Sequence, residues 1–307
     1  HEQFIALFKD LPLEFEPGAR FKYSNSGYYL LGQIIEAVSG MSYEAFVRKQ
    51  IFQPLDMQHS YYMSNRPIIP YRAAGYSRAS RGYQHARYIS MTQPYAAGGF
   101  GSTVKDLVLL DQGLREHRLI DQATQERMYT RVDQVPGQMK DMGLGWWLAD
   151  YHGYRVTYLP GHINGFAIFM IRFLDDATTV IVLSNFGSFD PERLARQISR
   201  LVQGISPLAR EPISISVDVK NKVIGTYHGE IDDVTMNVVY DGDQLALRGG
   251  PMAGVLLPTS ENTFYSVQDE EVEIRFEDPQ ENGFTRMILT TPLSWFFSAT
   301  KVSTSSS

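Results

Sequence analysis

The sequence predicts a mixed α+β protein whose last third is a separate antiparallel β region. In the first third, apolar residues recur at helical spacing, as at Leu30, Leu31, Ile34, Ile35 and Val38. Between residues 145 and 183 the apolar runs are short, and Asp175-Asp176 indicates a hairpin turn between two of them. After Ile213, short strand-like runs alternate with Asp-Gly, Gly-Gly and Asn-Gly turns. This pattern indicates a small antiparallel barrel or sandwich.

The helices of the first third have recognisable ends. Gly40 follows the apolar stripe at the position where helices commonly stop. Ser42 is a suitable cap for a second helix, which runs from Tyr43 to about Phe52 and ends before Pro54. Two consecutive helices with their own stop signals are therefore predicted here.

The middle of the chain passes from helices to strands. In residues 66–93 the apolar residues recur at neither helical nor strand spacing. This segment is predicted to be a long loop region that borders a cleft. A helix follows Gly101, with Ser102 or Thr103 as its cap, and a shorter helix spans the region from Asp121 to Thr130. The predicted strands cover 145–148, 154–158, 166–173 and 178–183, and a closing helix carries Leu194, Ile198, Leu201 and Val202.

Length sets the domain organisation. A chain of 307 residues suits one large domain and one small one. We predict a first domain over residues 1–204, a linker over 204–212 and a second domain over 213–303. Residues 303–307 form a polar tail, and Asp232-Asp233 and Asp269-Glu270-Glu271 are predicted to be turn and surface charges.

Composition narrows the possible partners. A net charge of −6, with acids and bases spread along the chain, predicts no nucleic acid and no anionic membrane as partner. No apolar run approaches the roughly 20 residues that cross a bilayer, so no membrane span is expected. The absence of cysteine excludes disulfides and thiolate chemistry. A periplasmic or secreted location is predicted, and a cytoplasmic one is equally compatible with this composition.

One stretch carries a chemical signature. Residues 17–28 place Tyr23 and Asn25 two positions apart on a turn that leads into the first long helix. This Tyr-x-Asn triplet resembles the second active-site motif of the serine β-lactamase and penicillin-binding-protein superfamily, in its class C-like branch with esterases and D-aminopeptidases. The resemblance continues through 36–40 and 51–57. It implies a β-lactamase-like fold, with Tyr23 shuttling a proton beside a cation and Asn25 positioning the substrate.

A second stretch, residues 158–166, resembles the Lys/His-x-Gly motif of the same superfamily. When residues 163–166 at the end of this stretch are aligned with the family pattern, Gly161 takes the position of the motif glycine. In the family, that glycine lies on the strand that supplies an N–H to the oxyanion hole. Leu159 then stands where the basic residue is usual; the alternative puts His162 there and leaves Asn164 in the glycine position. Leucine cannot bind a substrate carboxylate, so apolar esters or amides are favoured over penicillin-like acids. His162 is predicted either to face the cleft or to belong to the turn.

The nucleophile of this superfamily is a serine in a Ser-x-x-Lys turn that precedes Tyr-x-Asn. Ser102 to Lys105 fits that pattern, but it lies downstream, in a glycine-rich turn where a helix cap is the favoured interpretation. The 22 residues ahead of Tyr23 contain no serine, and the chain begins with His1 rather than Met. We therefore expect a chain that begins inside a larger protein, with the nucleophile segment removed or on another polypeptide.

The resemblance as a whole implies a serine hydrolase that forms an acyl-enzyme on a small ester, amide or D-amino-acid peptide. The histidines show no metal-ligand spacing, so neither metal nor cofactor is expected. Residues 213–303 resemble the lipocalin-like domain often appended to this family. This chain alone is predicted to be inactive. The rival prediction is a non-catalytic protein that binds a ligand or partner in the retained cleft.

Overall fold

A computed structural model describes residues 1–19, 21–64, 66–132, 141–206, 208–229, 234–249, 253–281, 283–293 and 296–302. The chain divides into two compact units. The first combines His1–Pro67 with Ser90–Leu148, and the second combines Ile68–Ile89 with Ala149–Ser307. These units group residues by proximity and do not test whether 1–204 and 213–303 fold separately, so those domain limits stay a prediction.

The first unit is mainly helical, and its elements follow the chain. Its helices are α1 (Glu2–Ile5), α2 (Asn25–Ser39), α3 (Tyr43–Val47) with a π-helical turn over Arg48–Phe52, α4 (Val104–Arg115) and α5 (Gln122–Met128). Its strands are β1 (Tyr61–Tyr62), paired with β4 (Phe100–Gly101), and β5 (Asp141–Met142), paired with the start of β6 (Trp147–Tyr151). A 3₁₀ turn covers Tyr95–Ala97.

The predicted helix ends of this unit are confirmed. Gly40 ends α2 with φ 66°, a left-handed conformation that glycine adopts without strain. The Ser42 hydroxyl accepts a hydrogen bond from the Ala45 N–H at the start of α3. Of the two candidate caps of α4, Thr103 is the one that accepts from the Asp106 N–H, at 3.2 Å. Local capping chemistry therefore fixes where these helices begin and end.

The second unit contains the long strands of an antiparallel sheet in the order β5-β6-β7-β8-β9, with β7 (Tyr154–Ile163), β8 (Phe166–Phe173) and β9 (Thr179–Ser184). A hairpin of β2 (Tyr76–Arg78) and β3 (Tyr83–His85) corrects the prediction that residues 66–93 are only loop. No apolar period indicates this hairpin, because β3 is exposed on both faces.

The closing helix α6 (Pro191–Gln203) packs on β8 and β9, mainly through residues other than the apolar ones that predict it. It buries Glu192, Ala195, Arg196 and Ser199, whereas Leu201 is 83% exposed. The apolar residues therefore predict the helix correctly but not the face that it buries. That face is set by Glu192 and Arg196, since Arg196 pairs with carboxylates of the barrel.

The C-terminal region is a closed barrel of eight antiparallel strands preceded by α7 (Val217–Val223). The strands are β10 (Gly225–Gly229), β11 (Thr235–Asp241), β12 (Gln244–Arg248), β13 (Gly254–Pro258), β14 (Thr263–Ser266), β15 (Asp269–Gln280), β16 (Gly283–Thr290) and β17 (Phe296–Lys301). Its interior is filled by buried side chains that include Tyr227, Phe264 and Phe276. The predicted fold class, a β-lactamase-like α+β region followed by an antiparallel β-domain, is confirmed, and the domain is a barrel.

A buried ionic cluster, formed by Glu192, Arg196, Asp269 and Glu271, joins α6 to β15. Arg196 forms ion pairs with the carboxylates of Asp269 and Glu271, and its Nε lies 3.3 Å from Glu192 Oε1. The Tyr151 hydroxyl donates to Glu271 Oε1 at 3.1 Å. The prediction that 269–271 are surface charges is thus wrong for Glu271, which is almost fully buried; Asp232, Asp233 and the 303–307 tail lie outside the described residues.

No helix in the described parts of the chain is long and apolar enough to span a membrane.

Candidate active site

Tyr23 and Asn25 form a hydrogen-bonded pair at the start of α2. The Tyr23 hydroxyl donates to Asn25 Oδ1 at 2.9 Å. Ser24, between them, is the cap of α2 and accepts from the Gly27 N–H at 3.0 Å. Because the cap fixes the backbone of the turn, the phenol and the amide are held together at the surface, and Tyr23 keeps 51% of its area exposed. The pair is therefore positioned and accessible at once.

The electrostatics of the pair differ from those expected for a proton shuttle. Partial burial raises the pKa of the Tyr23 phenol above its ordinary value. Tyr28, whose ring centroid lies 6.0 Å from that of Tyr23, also has its pKa raised, first by burial and then by Tyr23. A phenol with a raised pKa is protonated at neutral pH, so proton acceptance by Tyr23 requires a cation brought to it.

Leu159, Gly161 and His162 all lie near the end of β7, in the second unit. Gly161 is opposite Ile168 of β8, and a Cβ at this position would lie 2.6 Å from Ile168 Cγ1. Any other residue at position 161 would therefore require the Ile168 side chain to move. Leu159 and Gly161 share one face of β7 because successive residues of a strand alternate between faces.

His162 is exposed and is held by a backbone contact. Its Nε2 lies 2.7 Å from the Gly187 carbonyl oxygen, which can only accept, so Nε2 carries the proton. In the following turn, the Asn164 Nδ2 group donates to the Arg87 carbonyl at 3.0 Å. Gly165 has φ +83° and its Cβ position is filled by Gly75. The structure thus ties the β7–β8 turn to the 68–89 segment.

The predicted site residues fall into two sets. Tyr23 and Asn25 belong to the first unit and touch each other, while Leu159, Gly161 and His162 belong to the second and share one strand end. Their roles in catalysis, and their membership of a single site, remain predictions.

Ser102 takes part in a polar chain that sequence reasoning missed. Its Oγ lies 2.8 Å from Ser60 Oγ, and the Ser60 hydroxyl donates to Asp106 Oδ2 at 2.7 Å. The same carboxylate oxygen accepts from the His59 N–H at 2.8 Å. No hydrogen bond joins Ser102 to Lys105 among the described residues. In the sequence, the only sign of this hydrogen-bonded series is Asp106, an acid in the first turn of α4. An acid at that position is also what an ordinary helix start favours.

A metal site is not apparent in the part of the chain that the structure describes, since no group of three or more histidine, aspartate or glutamate side chains there could hold a metal ion.

Comparison with known proteins shows the family. The beta-lactamase family model matches residues 1–203, so the chain belongs to the beta-lactamase family of serine hydrolases. Penicillin-binding protein 4* of Bacillus subtilis (strain 168) is 28% identical over 287 residues, which cover 85% of this chain. The chain spans only 62% of the length of that relative.

Solved structures agree with this assignment. One match is the structure of the octameric penicillin-binding protein homologue from Pyrococcus abyssi, with a TM-score of 0.62 and 26% identity. The match covers 97% of this chain and 69% of the chain of that homologue. The D-amino acid amidase from Ochrobactrum anthropi SV3, complexed with D-phenylalanine, matches 66% of this chain and 64% of its own, with a TM-score of 0.57. At 23% identity, the second likeness concerns the fold alone.

Proposed function

We propose that this chain contributes to the site of a hydrolase that transfers an acyl group to water through an acyl-serine intermediate. The observation that carries the proposal is the hydrogen-bonded Tyr23–Asn25 pair, exposed at the capped start of α2. A phenol and an amide in this geometry can exchange a proton with a neighbouring hydroxyl and orient an acyl group. Membership of the beta-lactamase family supports the same chemistry.

In the proposed reaction Tyr23 acts as its phenolate: a serine hydroxyl attacks the substrate carbonyl, and the serine proton passes to the phenolate oxygen. The negative charge on the former carbonyl oxygen is stabilised by a backbone N–H of the β7 end at Gly161. The leaving amine or alcohol takes the proton from Tyr23, and water then hydrolyses the acyl-serine. Burial raises the pKa of Tyr23, so the lysine of a Ser-x-x-Lys turn would have to lie beside it and lower that pKa.

The serine of this reaction is proposed to come from outside the 307 residues. No serine precedes Tyr23, and Ser102 is engaged with Ser60 in the polar chain at the start of α4. A segment on another polypeptide, or residues beyond this chain, would supply the serine and the lysine together. Such a segment is the partner proposed for this chain besides its substrate.

The substrate class follows from Leu159. An apolar side chain at the position of the usual cation does not bind a carboxylate, which favours uncharged esters, amides or D-amino-acid peptides. The D-amino acid amidase from Ochrobactrum anthropi SV3, which shares the fold, belongs by its name to the amide-cleaving part of this range.

The proposal is tested by labelling with a fluorophosphonate, followed by intact mass and peptide mapping. We expect no adduct on the 307-residue chain. In protein purified from the natural source, we expect an adduct on a serine outside these residues. Introduced into the complete natural protein, Tyr23→Phe should lower the rate of labelling and of ester hydrolysis at least 100-fold, since general acid–base catalysis contributes about 10²–10⁴-fold.

Two results would contradict the proposal, each in a different part. An adduct on Ser102 would place the nucleophile inside this chain and overturn only the assignment of the serine to another segment. The absence of both adduct and turnover in natural protein would instead favour the second candidate, a protein that binds a ligand without chemistry. The raised pKa of Tyr23 supports this second candidate, because a phenol without a neighbouring cation is a hydrogen-bond donor and a poor base.

A further inference from the structure

Residues 68–89, named here the arginine hairpin, have an unusual composition. These 22 residues contain four arginines, four tyrosines, one histidine and no aspartate or glutamate, in a chain with a net charge of −6. Positive charge is therefore concentrated on one segment, and the remainder of the chain is more acidic than the total suggests.

The arginines of the hairpin are exposed and unpaired. Arg72, Arg78, Arg81 and Arg87 all lie at the surface, and none forms an ion pair or a side-chain hydrogen bond with any residue that the structure describes. Some exposed arginines elsewhere pair with carboxylates, as Arg155 does with Asp175 at 2.5 Å. The hairpin differs in holding four arginines within 22 residues that contain no acid. Guanidinium groups without a carboxylate partner are suited to bind carboxylates, through two parallel hydrogen bonds each.

The hairpin also offers a strand edge. β2 and β3 pair antiparallel, from Tyr76 opposite His85 to Arg78 opposite Tyr83. Among the described residues β3 pairs with β2 alone, and all three residues of β3 are exposed. An exposed strand edge of this kind presents backbone N–H and C=O groups to which an extended peptide can add as a further strand.

The hairpin is anchored and so preorganised. The Tyr76 N–H donates to the Asn185 carbonyl and the Gly187 N–H donates to the Tyr76 carbonyl, both at 2.9 Å. On its other side, Asn164 binds the Arg87 carbonyl at 3.0 Å. Since Asn164 directly follows β7, the hairpin is fixed to the end of that strand.

We propose that the arginine hairpin binds an extended acidic peptide, which adds as a strand along β3 and places its carboxylates on the hairpin arginines. This binding surface goes beyond the hydrolase function proposed above and does not depend on it. A nucleic acid would satisfy the arginines but has no amide backbone to pair with β3.

The test is a titration of the complete chain against a fluorescent peptide of alternating glutamate and valine, about eight residues long so that it spans the hairpin edge, by anisotropy. We expect saturable binding that weakens as NaCl is raised from about 0.02 to about 0.3 M, because exposed charge pairs are screened. Arg78→Gln with Arg81→Gln should weaken binding about 5- to 10-fold, as expected for two exposed ion pairs. The control, Arg48→Gln with Arg127→Gln, removes the same charge from exposed positions outside the hairpin and should leave binding unchanged.

A second peptide separates strand addition from charge alone. The same sequence with every residue N-methylated keeps its carboxylates but loses all of its backbone N–H donors, and it should bind at least about 5-fold more weakly. Hydrogen exchange should slow at residues 83–85 only with the unmethylated peptide. Equal binding of the two peptides, equal binding by the Arg78/Arg81 variant, or tighter binding of a thymidine oligonucleotide of equal charge would each overturn the proposal.

Discussion

The C-terminal barrel and helix α2 show two ways in which one sequence specifies structure. In the barrel, the first strand β10 pairs with the last strand β17 and closes the sheet. The apolar side chains of its core point inward, with Phe264 and Phe276 fully buried. Helix α2 buries only Tyr29 and Gly32 along 15 residues, and its Val38 is 84% exposed. The barrel thus has a continuous packed interior, whereas α2 packs through few residues, such as Tyr29 against Tyr95, and the predicted active-site pair lies beside its cap.

The largest expected effect is in the barrel core. Phe276 lies against Tyr227, Phe264 and Phe284 with ring centroids 5.5 to 6.1 Å apart. Phe276→Ala should lower the free energy of unfolding by about 3–5 kcal/mol, because it removes buried surface and leaves a cavity. Guanidinium denaturation followed by circular dichroism measures this change. Val267→Ala, at an exposed barrel position, is the matched control; an equal loss there would show that the packed interior is not the source of stability.

The next effect concerns the buried ionic cluster. Glu271→Gln leaves Arg196 with Glu192 and Asp269 but removes the buried charge that accepts from Arg196 and Tyr151, and it should destabilise the protein by about 2 kcal/mol. Glu270→Gln alters a partly exposed pair with Arg200 and should cost under about 1 kcal/mol. Similar losses from both changes in the same denaturation experiment would contradict the importance given to burial.

Sequence reasoning succeeded where the controlling physics is local. The caps at Ser42 and Thr103 and the stop at Gly40 require only neighbouring residues, and all were predicted. Glu271 was misjudged because its partner Arg196 lies 75 residues away, and no local pattern shows such a pairing. The β2–β3 hairpin was missed because β3 is exposed and β2 is only half-buried, so the hairpin carries no apolar alternation.

The candidate site was predictable in part. The Tyr23–Asn25 contact spans two residues and could be foreseen from the triplet and the cap between them. The Ser60–Ser102 contact spans 42 residues and has no sequence signal. The electrostatic environment of Tyr23 was also beyond sequence, since burial and the position of cations depend on the folded chain.

A smaller effect tests the local caps through pH. Asp121 caps α5, and hydrogen bonds from Thr124 lower the pKa of its carboxyl. The folded state therefore favours the carboxylate, so the cap stabilises the protein above the unfolded pKa of about 3.9 and is lost as pH falls through the lower folded value. Asp121→Ala should lower Tm at neutral pH, and the difference from the parent should close towards a pH of about 2. Asp121→Asn keeps the cap without titrating, and a gap between Asp121→Ala and the parent that stays constant with pH would refute the assignment.

The smallest expected effect lies on the exposed face of α2 and bears directly on the comparison. Val38→Ala removes little buried area from the chain, and alanine has the higher helix propensity, so the free energy of unfolding should change by no more than about 0.5 kcal/mol. The same denaturation experiment measures it, with Phe276→Ala as the opposite extreme. A loss above about 2 kcal/mol would mean that Val38 is covered in solution by another molecule, since truncation of an exposed side chain does not cost that much. The contrast between a densely packed barrel and an uncovered helix would then apply only to the isolated chain.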